Sequence, residues 1–169
     1  PLRKPKDQRA LWNALRQGTL STVATDHCPF CLDQKAVGAD DFSKIPNGMP
    51  AIQHRYELLF SEGVRKGRIP LTDFVALAST NAAKIFGLFP YKGTLAVGAD
   101  ADIVLLDPEE HHTLGAATHH MRVDYSAFEG WEVQGKVKTV LRRGEVVVED
   151  GACTAARGSG RFLPRDGEQ

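Results

Sequence analysis

Residues 1–90 pattern as four amphipathic helices around one convincing strand, and that imbalance constrains the fold more than any other feature. A helix with one apolar stripe must bury it against a layer, and a single strand cannot cover four helices. Either this half is a small helical domain, or it is the back end of a larger α/β protein. The first helix is expected over about Lys6–Arg16, where Ala10, Leu11, Ala14 and Leu15 form a stripe with Trp12 beside it. Gly18 stops it at the position past the cap that glycine suits. Thr19–Thr25 is β-branched and only weakly polar, which predicts a short buried strand. Ile52, Tyr56, Leu59, Phe60 and Val64 recur at helical spacing. Thr72 is the expected N-cap of a helix through Ala78, and Thr80 of a separate helix Asn81–Phe86 stopped by Gly87.

The texture changes near Pro90. From Lys92 to Gly151 the chain reads as strands and turns, with Ile103–Leu106 as a buried strand. Val137–Leu141 and Glu145–Val148 flank Arg142-Arg143-Gly144 as a hairpin. The residues from Cys153 onward are rich in Gly, Arg and polar side chains, as a low-order or partner-docked tail would be. Between Cys28 and Pro50 no period emerges. An irregular stretch of that length is usually functional.

Lys plus Arg equals Asp plus Glu at 21 each, so the chain lacks the overall basic field of a nucleic-acid binder. No apolar run approaches the roughly 20 residues of a membrane helix. Three cysteines, Cys28, Cys31 and Cys153, make no secreted disulfide framework, and no signal peptide is expected. A reducing cytoplasm is the expected compartment. The opening Pro1-Leu2-Arg3-Lys4-Pro5 has no Met and reads as a cut or processed end.

Several residue groups could carry chemistry. Asp26 closes the expected strand and opens the irregular stretch, where a carboxylate can hold a metal or take a proton from water. The structural alternative is a turn or N-cap Asp. His27 follows it and faces the other way in an extended chain, which suits a hydrogen bond within the scaffold. Cys28-Pro29-Phe30-Cys31 has the spacing of a redox dithiol or half a zinc site. No helix is expected after it and no second pair accompanies it, so reduced, non-ligating thiols are the default. Pro46-Asn47-Gly48 is a tight turn whose exposed main chain suits an amide, which carries one donor and one acceptor. His111-His112 and His119-His120 fall between strands and are expected at the surface or an interface. Asp100 and Asp102 are expected to satisfy backbone N–H groups at a turn and strand start.

At this point a family resemblance emerges. Lys92-Gly93-Thr94-Leu95 followed by Val97-Gly98-Ala99-Asp100-Ala101-Asp102-Ile103-Val104 resembles the start of the small β-sandwich domain of amidohydrolase-superfamily enzymes. Ser79-Thr80-Asn81-Ala82-Ala83-Lys84-Ile85-Phe86-Gly87-Leu88 resembles the helix before it. Thr25-Asp26-His27-Cys28 with Lys44-Ile45-Pro46-Asn47-Gly48 is similar to the dihydropyrimidinase and D-hydantoinase branch. So are Thr118-His119-His120-Met121-Arg122-Val123-Asp124-Tyr125 and Phe128-Glu129-Gly130. The resemblance runs from the first helix to Arg161-Phe162-Leu163. Met49 follows Gly48 where some relatives have a second glycine.

The resemblance implies an α/β fold: the C-terminal part of a (β/α)8 barrel, last strand and helices, plus a small β-sandwich. Residues 1–90 would be the barrel part, 91–150 the sandwich, and 151–169 a tail in oligomer contact. It implies a metal-dependent cyclic amidohydrolase that opens dihydropyrimidines or 5-substituted hydantoins by hydrolysis. Two divalent ions, usually zinc, would share an activated hydroxide in the full-length enzyme. Their other ligands, including a bridging carboxylated lysine, lie outside this chain. Asp26 matches the last metal ligand and general base, and Asn47 a residue that hydrogen-bonds the ring amide of the substrate. Partners would be the cyclic amide, the remainder of the barrel and three further subunits of a homotetramer, with neither nucleic acid nor membrane. The interface candidates are Tyr125–Gly130 and the tail, where His119, His120, Tyr125, Phe128 and Trp131 are aromatic-rich as interface cores often are. The alternatives are a non-catalytic assembly protein of the same branch, or an inactive truncated fragment. Dihydroorotase and allantoinase are the neighbouring activities.

Overall fold

The computed structural model describes residues 3–164; Pro1, Leu2 and positions 165–169 of the expected tail lie outside the described residues. Helix α1 spans Pro5–Arg16, with proline in its first turn, where a missing N–H costs nothing. Gly18 follows its C-cap Gln17 with φ +73°, as expected of a glycine stop. Helix α3, Arg55–Leu59, runs on as a π turn over Phe60–Arg65. Helix α4, Leu71–Val75, continues through a π turn at Ala76–Thr80 into α5, Asn81–Ile85. Leu59, Phe60, Ile69, Phe74 and Leu77 form the buried core, with Trp12, Leu15, Val23 and Tyr56 packed against it. Tyr56 and Phe60 each meet the Phe74 ring edge-on, at 4.7 and 5.5 Å, the geometry aromatic quadrupoles favour.

The helices depart from the sequence pattern at three residues. Ile52 is exposed and lies in the turn before α3 rather than on its apolar face. Thr72 sits inside α4, whose N-cap is Pro70. Thr80 caps no separate helix, because its backbone is helical and its hydroxyl donates to the Gly93 carbonyl at 2.7 Å.

The strand expected at Thr19–Thr25 is also corrected. The segment bends at Thr19 and Leu20 and joins no ladder among the described residues. β-Branched composition favours extended backbone, yet a strand exists only with hydrogen-bonded neighbours. Val23 instead donates its N–H to the Leu77 carbonyl at 3.3 Å, and its carbonyl accepts Arg55 Nη1 at 2.7 Å. Helices therefore fix this stretch and the direction in which it delivers Asp26.

The second half is one antiparallel sheet in the order β1-β2-β3-β4: Ile103–Thr113, Glu132–Arg142, Glu145–Glu149 and Ala152–Cys153. A sandwich needs two facing sheets, and the described residues form one. β1 is longer than expected because it passes Pro108 at a bulge, where the ladder skips from Asp107 to His111. Asp107 Oδ1 accepts the Glu109 and Glu110 N–H groups there, at 2.9 and 3.3 Å. The hairpin turns at Arg143 and Gly144, with φ +50° and +81°, the left-handed pair that matches strand twist. Asp102 Oδ1 accepts the Arg143 N–H at 2.8 Å, as the turn role expected of it requires. Asp100 and Asp102 also both pair with Lys92.

The sheet is bolted to the helices through α3 and its π turn. Ser61 Oγ accepts the Gln134 N–H and Glu57 Oε1 the Val137 N–H, both at 3.1 Å. The other Glu57 oxygen lies 3.1 Å from His112 Nε2, and His112 is half-buried at this junction between helices and sheet while His111 is exposed. His119 is half-buried too, 5.9 Å from His54 between ring centroids.

His54 is 2% exposed and its Nε2 has no hydrogen-bond partner among the described residues. Burial holds its pKa below the ordinary 6.5. The nearby His119 and His112 push it the same way, while Glu57 and Glu129 oppose. The unfolded chain therefore takes up this proton before the folded one does. Stability is present above pH 6.5 and falls as the pH drops below it. We expect a lower urea midpoint at about pH 5.5 than at about pH 7.5, with the difference reduced in His54→Asn.

Candidate functional site

The irregular stretch that follows Asp26 is folded back onto it. After Cys28 the chain forms a single-turn helix α2, Leu32–Ala36, and a 3-10 turn, Phe42–Lys44. Neither element was expected, because five- and three-residue helices are too short to show a period. Asp41 caps the second by accepting from Ser43 N and Oγ at 3.0 and 2.7 Å. Those bonds hold its carboxyl below the usual range.

The stretch returns beside its own start through an isolated parallel bridge that pairs His27 with Met49. The Cys28 N–H donates to the Met49 carbonyl at 3.4 Å. In that register Gly48 stands opposite Asp26. Gly48 has φ +118°, and a Cβ built on it would lie 2.5 Å from Cys28 Cβ and 3.1 Å from its Sγ. Only glycine allows this approach. Lys35 of α2 braces the turn from outside, its Nζ donating to the Pro46 carbonyl at 2.8 Å. The residue after Asp26 is thus bridged to the residue just past the Asn47-Gly48 turn, some twenty positions on in the chain. Both Asp26 and Asn47 are exposed.

The Thr118–Tyr125 block closes over the same region. Asp124 Oδ1 accepts the Leu32 N–H at 2.9 Å, and Gln53 Oε1 accepts the His120 N–H at 2.5 Å. Cys28, Cys31 and Cys153 are unpaired thiols. Cys31 is the N-cap residue of α2, so a helix does follow the C-x-x-C pair, contrary to expectation.

An exposed carboxylate beside an open main-chain turn can accept a proton, offer oxygen to a metal ion, or flank a small polar ligand. Among the described residues, no three His, Cys, Asp or Glu side chains stand together closely enough to hold a metal ion. The donors among the described residues therefore do not fit a two-ion centre. A groove of about 510 Å³, lined by Tyr56, Phe60, Val64, Phe74, Val104 and Leu106, lies elsewhere and is apolar. Its polar side chains are Arg65 and Tyr56, and burial pushes the Tyr56 hydroxyl pKa up.

The profile of the amidohydrolase family matches residues 2–147. The chain is 52% identical over 166 residues to a D-hydantoinase of Geobacillus stearothermophilus, covering 98% of this chain and 35% of that enzyme. It is 46% identical to a dihydropyrimidinase of Rattus norvegicus, covering 98% and 32%. The crystal structure of a dihydropyrimidinase from Brevibacillus agri superposes with a TM-score of 0.96 at 54% identity, covering 98% of this chain and 36% of that one. The chain thus spans about a third of the length of the relatives it matches.

Proposed function

This chain belongs to the amidohydrolase family, and from that premise we propose that it supplies one catalytic carboxylate and one substrate-binding turn to a longer enzyme that opens cyclic amides. The observation that carries the reading is the His27–Met49 bridge, which joins the residue after Asp26 to the end of the Asn47 turn. The likeness to D-hydantoinases and dihydropyrimidinases supports hydantoins and dihydropyrimidines as the substrate class.

In this reading Asn47 and the main chain of its turn hydrogen-bond the ring amide. Asp26 takes the proton of the attacking water and passes it to the leaving nitrogen. Water adds across one ring C–N bond, which breaks to give a carboxylate and an opened amide. Two divalent ions, zinc by family resemblance, and a carboxylated lysine between them come with the rest of the longer enzyme and would supply an activated hydroxide.

Residues 1–90 would form the C-terminal part of the barrel, 91–150 the sandwich domain, and 151–169 would contact another subunit of a tetramer. Exposed apolar side chains on both halves, among them Leu71, Phe86 and Leu95, support a larger body of protein over this chain. Exposed Trp131 and Phe162 support the subunit contact. No helix among the described residues is long and apolar enough to cross a membrane, and three unpaired thiols suit the cytoplasm.

The test is hydrolysis of dihydrouracil and hydantoin by the parent-length enzyme carrying this segment, read as appearance of the N-carbamoyl product. No product from either ring overturns the proposal. Gly48→Ala is expected to cut turnover at least about tenfold, because alanine is strained at this φ and its Cβ presses on Cys28. Steady-state kinetics on hydantoin checks it.

A further inference from the structure

His27 lies next to Asp26 in sequence but belongs to neither the carboxylate nor the turn. Its Nδ1 accepts two consecutive backbone N–H groups, from Ala51 at 3.2 Å and Ile52 at 3.4 Å. The neutral ring therefore carries its proton on Nε2. The two amides lie just past Pro50, which is buried, at the far end of the stretch that holds Asn47. The bridge at Met49 and the contact of Gly48 with Cys28 fix the near end of the same stretch. One imidazole thus ties the chain after the turn to the residue beside Asp26.

We infer that His27 is the positioning residue that sets the Asn47 turn at its working distance from Asp26, acting through Nδ1 as a two-amide acceptor. The inference rests on the reading of that turn as the amide-binding element. His27 touches no substrate in this role. Its loss should weaken binding of the ring and leave the proton chemistry of Asp26 largely in place.

Side-chain geometry gives a discriminating set of variants. Asparagine places its Oδ1 where histidine has Nδ1, whereas glutamine places its oxygen where histidine has Nε2. In the parent-length enzyme, His27→Gln and His27→Ala are expected to raise KM for hydantoin about tenfold, the scale of one to two lost hydrogen bonds, with kcat changed by less than about threefold. His27→Asn is expected to restore KM to within about threefold of the unmodified enzyme. Amide hydrogen exchange gives a readout independent of activity. The Ala51 and Ile52 amides should lose protection in His27→Ala and His27→Gln and keep it in His27→Asn.

Equal behaviour of the asparagine and glutamine variants, or unchanged exchange at Ala51 and Ile52 in His27→Ala, would overturn the inference. A parent enzyme that opens no ring at all counts against the proposed function instead, and the exchange data then decide whether His27 holds the turn.

Discussion

Asp26→Ala in the parent-length enzyme is expected to lower ring opening of hydantoin and dihydrouracil by at least about 10³-fold, within the range for removal of a general base. The fold should survive. Asp26 is exposed, and no hydrogen bond or ion pair among the described residues ties its carboxylate to the scaffold. Substitutions at such positions usually move stability by no more than about 0.5 kcal/mol. Asp26→Asn keeps the shape and one oxygen but cannot take up the proton, so it should be nearly as inactive as the alanine variant. Parallel denaturation curves would separate loss of chemistry from loss of fold. Near-normal turnover in either variant would remove Asp26 from the site.

Gly135→Ala is expected to destabilise the protein by about 3 kcal/mol, the sum of strain at a left-handed backbone position and overpacking. Gly135 lies in β2 with φ +100°, where the sheet meets the π turn after α3. A Cβ there would fall 2.6 Å from Phe60 Cε1, inside the ring's van der Waals surface. Phe60 cannot give way, because it is 4% exposed and packed edge-on against Phe74. Three kcal/mol is a large share of the 5–15 kcal/mol that holds a typical domain together. Combining Gly135→Ala with Phe60→Leu should recover part of the loss, since neighbouring changes that share a contact do not add. Urea denaturation of the four members of that cycle checks both halves. Strict additivity would place the cost in the backbone alone.

The sequence showed some of this more plainly than the rest, and the reasons are physical. Helix α1 was legible because twelve residues hold several repeats of one apolar stripe and end in a glycine. The hairpin was legible because Arg143-Gly144 is a local turn signal between two alternating runs. Asp150-Gly151 is a second such signal, with φ +45° and +83°. It could have pointed to β4, which pairs Ala152 and Cys153 back onto β3.

Thr19–Thr25 misleads because composition reports a residue's preference for extended backbone, while a strand depends on its neighbours. α4 and α5 read as two helices because Thr80 is an excellent cap in isolation. Its hydroxyl is instead committed to Gly93, thirteen residues on.

Asp26 and Asn47 were legible as candidates through their motifs, but the joining of their two segments was not. It depends on one bridge, a glycine packed on Cys28, and the imidazole of His27, none of which leaves a periodic trace. The Glu57–His112 contact and the burial of His54 were equally hidden, because their partners come from three separate elements.

Grafting tests most directly whether this chain completes a cyclic-amide hydrolase. This chain would replace the matching 166 residues of the Geobacillus stearothermophilus D-hydantoinase, and the chimera would be assayed for hydantoin opening with its metal content measured. Turnover is expected within about a hundredfold of the unmodified enzyme, a loss of no more than about 2.7 kcal/mol in transition-state stabilisation. A folded chimera with its metal ions in place and no turnover would contradict that expectation.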